Sequence, residues 1–220
     1  MVFIAQNKLD DAGREFEQGL AQDAGSIEVL TGLAWLATTR QEMDQARQYL
    51  DKVFAIDPDY AKAWSLTGNI ERTGGNLEAA LAAYTKAADS RYADPMDILN
   101  RISLNISLDL DAAKMEIADQ RKQGMKVYLL DYLEGLIAYQ ENQYKVALPF
   151  FEKALQANPG HPGALLYAGS CSLQEGSFEN ARNYLIRYDT INPGFTPALK
   201  MLALIAMNNG DFRAAQQYIR

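Results

Sequence analysis

The stretch from Val127 to Pro159 carries small, aromatic and proline residues at fixed spacing: Gly135, Ala147, Phe151, Ala154 and Pro159. Such a ladder constrains a fold only if it recurs. A shift of 34 residues places Gly135 on Gly169, Ala147 on Ala181, Phe151 on Leu185 and Pro159 on Pro193. A second shift of 34 reaches Ala203, Ala215 and Ile219. Backwards, residues 61–94 give Trp64, Gly68, Ala80, Tyr84 and Ala87, and residues 27–60 give Leu30, Leu33, Ala34, Ala46, Leu50 and Pro58. A chain with this period is a stack of similar units, each burying its apolar face against the next.

The offsets of Gly135, Ala147, Phe151, Ala154 and Pro159 resemble the tetratricopeptide (TPR) pattern. The resemblance implies an all-α fold, a TPR α-solenoid in which helix-turn-helix repeats wind into a right-handed superhelix. The period divides the chain into a partial repeat at 1–26 (the end of a first helix plus a second helix), repeats at 27–60 and 61–94, and a degenerate repeat at 95–127. Repeats at 128–161 and 162–195 and a truncated one at 196–220 follow. Within a window, Gly75, Gly176 and Gly210 stand where the first helix must stop, since glycine adopts the left-handed conformation that closes a helix. Asn142 holds that place in the window from Tyr128, whose helices are expected from Tyr128 to about Tyr139 and from about Tyr144 to Gln156. Gly68, Gly135 and Gly169 let two helices approach closely, and Trp64, Tyr84, Phe151 and Leu185 fill the remaining space.

Residues 95–127 fit least well. The segment Ile102 to Leu110, ISLNISLDL, alternates like a strand. Leu99, Ile102 and Ile106 nevertheless share one helical face, and a helix is the reading adopted, with a division of the array into two stacks expected here. The ends read as truncated: Met1 to Ala5 has lost its partner helix and Phe212 to Arg220 lacks its final turns, which predicts self-association through them.

Composition excludes several functions. A net charge of −7 and a pI near 4.8 argue against a nucleic-acid partner. No run of 18 apolar residues is present to span a membrane. The single histidine, His161, falls in a Pro/Gly-rich turn and reads as a solvated loop residue; the single cysteine, Cys171, reads as a small core residue. Neither has partners for a metal site or a nucleophile, so no enzyme activity, cofactor or metal is expected.

Function is therefore sought on a surface. In TPR proteins the inner face is lined by fixed positions of the first helix. Carried onto this sequence, the resemblance implies a protein- or peptide-binding groove. Its residues are Trp35, Lys62, Asn69 and Arg72 in the first half, then Tyr132, Leu136, Tyr139, Leu166, Ser170, Leu173, Lys200 and Leu204 in the second. The first set is polar and the second mostly aromatic and aliphatic, which suits an amphipathic helix or an apolar extended peptide. The Lys/Asn/Arg set with which some TPR domains clamp acidic chaperone tails is not reproduced.

From about Leu130 to Ile219 the phrasing is similar to the TPR-repeat lipoproteins of bacterial PEP-CTERM/exosortase exopolysaccharide systems. That resemblance implies a non-enzymatic scaffold of a cell-envelope assembly, periplasmic or associated with the outer membrane; otherwise the chain would be cytoplasmic. The alternative is a recruiting or regulatory segment of a larger enzyme such as a glycosyltransferase. A third reading, stacking of polysaccharide on Trp35, Tyr132 and Tyr139, is weakened by the few polar side chains that the sequence places beside them.

Overall fold

A helix that must reverse direction needs its last carbonyls satisfied, and this chain solves the problem the same way repeatedly. In a computed structural model describing residues 2–219, with side chains from residue 8, six helices end in a left-handed residue. At each, two backbone bonds close the end. At Gly75, for example, its N–H donates to Arg72 O (3.1 Å) and that of Asn76 to Glu71 O (2.9 Å). Gln41, Gly124, Asn142, Gly176 and Gly210 repeat the motif. Two of the six are not glycine: Asn142 (φ 61°) is a residue that tolerates this region, so Gln41, at φ 64°, is the strained case. Replacing Gln41 with glycine should raise stability by about 1 kcal/mol in chemical unfolding, by removing the left-handed penalty of an L side chain.

The chain divides into two compact units, residues 1–105 and 106–220, the division falling within α6 (Pro95–Leu108). The first unit holds α1 (Val2–Gln22), α2 (Ile27–Thr39), α3 (Met43–Ile56), α4 (Ala61–Thr73), α5 (Leu77–Asp89) and the larger part of α6. The second holds α7 (Leu110–Lys122), α8 (Tyr128–Gln140), α9 (Tyr144–Ala157), α10 (Pro162–Gln174), α11 (Phe178–Ile191), α12 (Thr196–Asn208) and α13 (Phe212–Ile219). Helices pack as antiparallel neighbours: α2 on α3, α4 on α5, α8 on α9, α10 on α11 and α12 on α13. The observed α8 and α9 agree with the expected bounds to within one residue.

One reading changes and another holds. The array was expected to open with the end of one helix, a turn and a second helix, but α1 is one continuous helix of 21 residues. The alternating segment ISLNISLDL is helical through Leu108, and Asp109 then caps α7 by accepting a hydrogen bond from Ala112 N (3.0 Å). Two apolar faces on one helix produced the false strand signal. The side chains of Met1 to Ala5, expected to seek a partner, lie outside the described residues.

Each unit's core follows the small–large ladder. A Cβ added to Gly68 would stand 2.6 Å from the Tyr84 ring, and one added to Gly135 would stand 2.7 Å from that of Phe151. Tyr84, Phe151 and Leu185 are wholly buried. Absence of a side chain on one helix is thus what admits the large side chain from the next. Trp64 is used differently: it tilts against Phe54 at 4.3 Å, donates Nε1–H to Pro58 O (2.7 Å) and lies beneath the Lys86 ammonium.

Candidate functional site

In the first unit, α2 and α4 turn their polar positions toward the loop that enters α6. Trp35, Lys62 and Asn69 line one cavity of about 640 Å³ with Thr31, Ser65 and the segment from Tyr92 to Asp97. Trp35 is 49% exposed, so about half of its surface is offered to solvent. Asn69 is held in place: its Oδ1 accepts from the Tyr84 hydroxyl (2.8 Å), which in turn accepts from Arg72 Nε (3.2 Å). Burial raises the pKa of that tyrosine, so the hydroxyl stays protonated and keeps donating. Arg72 is accordingly a support for Tyr84 and Asn69 and does not line the cavity.

In the second unit the groove candidates separate into two groups. Tyr139, Leu166, Ser170 and Lys200 line a shallow cavity of about 390 Å³ with Tyr167, Pro197 and Met201, drawn from α8, α10 and α12. The Tyr139 hydroxyl and Ser170 Oγ are 2.9 Å apart and share a hydrogen bond. Tyr132, Leu136 and Leu173 are only partly buried yet pack against the core of this unit. Leu204 is separate again, 54% exposed on α12, with Met207 exposed beside it.

Sequence reasoning missed Tyr167. Its ring stacks on Phe151 (5.6 Å, 18°) and meets Tyr139 edge-on (4.8 Å). It therefore joins the buried core to the cavity wall. Its partners lie 16 and 28 residues away in sequence, where no local pattern announces them.

His161 requires a correction. It is not a solvated loop residue: it caps α10, its Nδ1 accepting from Ala164 N (3.0 Å), and its ring lies 4.6 Å from that of Tyr132 and 5.8 Å from that of Tyr128. Burial lowers its pKa. An acceptor Nδ1 must be unprotonated, so acid removes the cap. The unfolded chain takes up this proton near pH 6.5 while the folded state resists it. The stability that depends on neutral His161 is therefore complete above about pH 6.5 and lost as the pH falls through the lower folded pKa. Stability should fall as the pH drops below about 6.5, and a His161→Asn variant, capped but not titrating, should lack that part of the slope in urea titrations.

Cys171 lies in the core as expected, and burial pushes its thiol up to about 12. Among the described residues no group of three or more His, Cys, Asp or Glu is placed to hold a metal ion. No described helix is long and apolar enough to cross a membrane.

Comparison with known proteins accounts for this architecture. The tetratricopeptide-repeat family model matches residues 3–70 and 138–189, more than half of the chain. The chain belongs to the tetratricopeptide-repeat family. As a TPR protein it is similar to the Cellulose synthase 2 operon protein C of Komagataeibacter xylinus, at 26% identity over 187 residues. That match covers 84% of this chain but 13% of the relative, so the chain spans about an eighth of that protein's length. Among solved structures, a chain of the APC/C hetero-tetramer Cut9–Hcn1 superposes with a TM-score of 0.86 at 15% identity, over 97% of this chain and 42% of that one. Pseudomonas aeruginosa PilF superposes with a TM-score of 0.74 at 21% identity, over 90% of each chain. PilW, a type IV pilus biogenesis factor, gives 0.75 at 17% identity, over 87% and 90%. These three likenesses are of fold.

Proposed function

We propose that this TPR chain is a non-enzymatic scaffold that binds a helix or extended peptide of a partner protein on the face of α8, α10 and α12. The carrying observation is the cavity between Tyr139, Leu166, Tyr167, Pro197 and Met201, an apolar recess drawn from three successive first helices with Lys200 at its edge. Exposed Leu204 and Met207 extend the apolar surface along α12. An apolar side chain of the partner would enter the recess while the Tyr139–Ser170 pair keeps its wall rigid. The setting we infer is exopolysaccharide assembly at a bacterial cell envelope. The resemblance to a cellulose synthase operon protein supports it, as does the phrasing shared with lipoproteins of PEP-CTERM/exosortase systems.

The test uses exposed residues, so that folding and binding are read separately. Wild-type chain and a Lys200→Glu/Leu204→Asp variant are used as bait in bacterial envelope extract, with helicity checked by circular dichroism. A protein retained by the first and lost from the equally helical second is the expected result. Equal retention by both, or none by either, would remove this face as the site.

A further inference from the structure

The cavity of the first unit has a different chemistry, and we infer that it is a binding site for a neutral oligosaccharide of hexopyranose units. This goes beyond the protein-binding reading of the second unit and does not rest on it. Two aromatic residues line the cavity, Trp35 and Tyr92, 49% and 69% exposed. The C–H face of a pyranose is apolar and slightly positive, and an aromatic face is negative, so an exposed indole is a natural stacking platform for a sugar ring. Around it stand the polar side chains such a ligand requires. Lys62 and Ser65 line the cavity, and neither has a hydrogen bond or ion pair among the described residues. The Asn69 amide is fixed through its Oδ1 by the Tyr84 hydroxyl, which leaves the two N–H donors of Nδ2 as the end available to a ligand. The loop wall is also pre-organised. Asp94 Oδ1 accepts from Met96 N (2.8 Å), and Asp97 Oδ2 accepts from Asp94 N (3.1 Å), a reciprocal cap that fixes the entry of α6.

Charge and polarity select among ligands. The cavity holds one lysine against Asp94 and buried Asp97, so an acidic peptide or an acidic glycan would meet net negative charge. A purely apolar peptide would cover the Lys62 ammonium, the Ser65 hydroxyl and the Asn69 amide without pairing them, and each unpaired group opposes binding. A neutral polyol stacks on Trp35 and exchanges hydroxyl hydrogen bonds with all three. The volume, about 640 Å³, lies within the range of ligand clefts.

Cellohexaose and maltohexaose are titrated into the full chain, followed by calorimetry and by the fluorescence of a Trp64→Phe variant in which Trp35 is the remaining tryptophan. At least one sugar should bind saturably and shift that emission. Trp35→Ala should weaken binding by about tenfold or more, corresponding to the loss of one stacked ring. Asn69→Ala should weaken it severalfold, and Lys200→Glu in the other unit should leave it unchanged. Circular dichroism confirms that the variants remain helical. Absence of saturable binding by both sugars would overturn the inference. So would undiminished binding by helical Trp35→Ala, tighter binding of a polyuronate than of either neutral sugar, or an apolar helical peptide shifting the Trp35 emission where the sugars do not. Because the envelope pull-down reads residues of α12, its failure and the failure of this titration are independent.

Discussion

Phe151→Ala should lower the stability of the second unit by about 3–5 kcal/mol, the range for removing a wholly buried aromatic ring. The ring is 0% exposed. It fills the space left by the missing side chain of Gly135 on α8 and stacks on Tyr167 of α10. One side chain therefore holds α9 against its own partner and against the following pair. In a stack where each pair contacts only its neighbours, such a residue acts on both a repeat and an interface. Hydrogen exchange of the full chain should show faster opening of α8 to α11. Phe151→Leu should cost less than about 2 kcal/mol, because Leu185 fills the corresponding space against Gly169. Phe212, 72% exposed, provides the control: its replacement by alanine should change stability by about 0.5 kcal/mol at most. Unchanged protection of α8–α11 in Phe151→Ala would mean that the glycine–aromatic contact does not organise this unit.

That contact was legible in the sequence because it is written into the period. Gly135 and Phe151 recur as Gly68 with Tyr84 and as Gly169 with Leu185, so each occurrence supports the others. The turns at Gly75, Asn142, Gly176 and Gly210 were legible for the same reason; Gln41 and Gly124 were not, since nothing in a glutamine announces a positive φ and Gly124 closes a helix of the window with the weakest pattern. What could not be read is what depends on one particular neighbour. His161 looks solvated in a Pro/Gly turn until Tyr128 and Tyr132, from a helix some 30 residues earlier, close over it. The site residues show the same limit. Helical position placed Tyr139, Leu166, Ser170 and Lys200 near one another, but not the division between those lining a cavity and those, like Leu136, spent on packing. The approach of Asp94 and Asp97 to Trp35 was also hidden, because they flank the start of α6, at the boundary with the window of weakest pattern.

Asp131 is the strongest case of a feature outside the period, and Asp131→Ala should destabilise the second unit by about 3 kcal/mol. It occupies the place where other windows carry Leu30 and Leu165. A leucine there would join the core, whereas the aspartate is 6% exposed and must be compensated. Arg121 of α7 donates to it at 2.5 Å and also pairs with Glu134, while Lys153 of α9 donates at 2.6 Å. The cluster thus joins α7, α8 and α9. Removing the aspartate leaves the Arg121 guanidinium short of a partner in a partly buried position, which is where breaking an ion pair is costly. Lys153 is the dispensable member, its side chain 59% exposed, and Lys153→Met should change stability by less than about 1 kcal/mol. The double variant Arg121→Met/Asp131→Leu should recover most of the loss, because an apolar pair of similar volume avoids the desolvation that the ions must offset. Urea unfolding of the four proteins in low and high salt separates the explanations. A large, salt-insensitive loss in Asp131→Ala with recovery in the double variant identifies a buried ionic tie. A loss that salt reproduces in the wild type would instead assign the cluster to surface attraction and leave α7 held by packing alone.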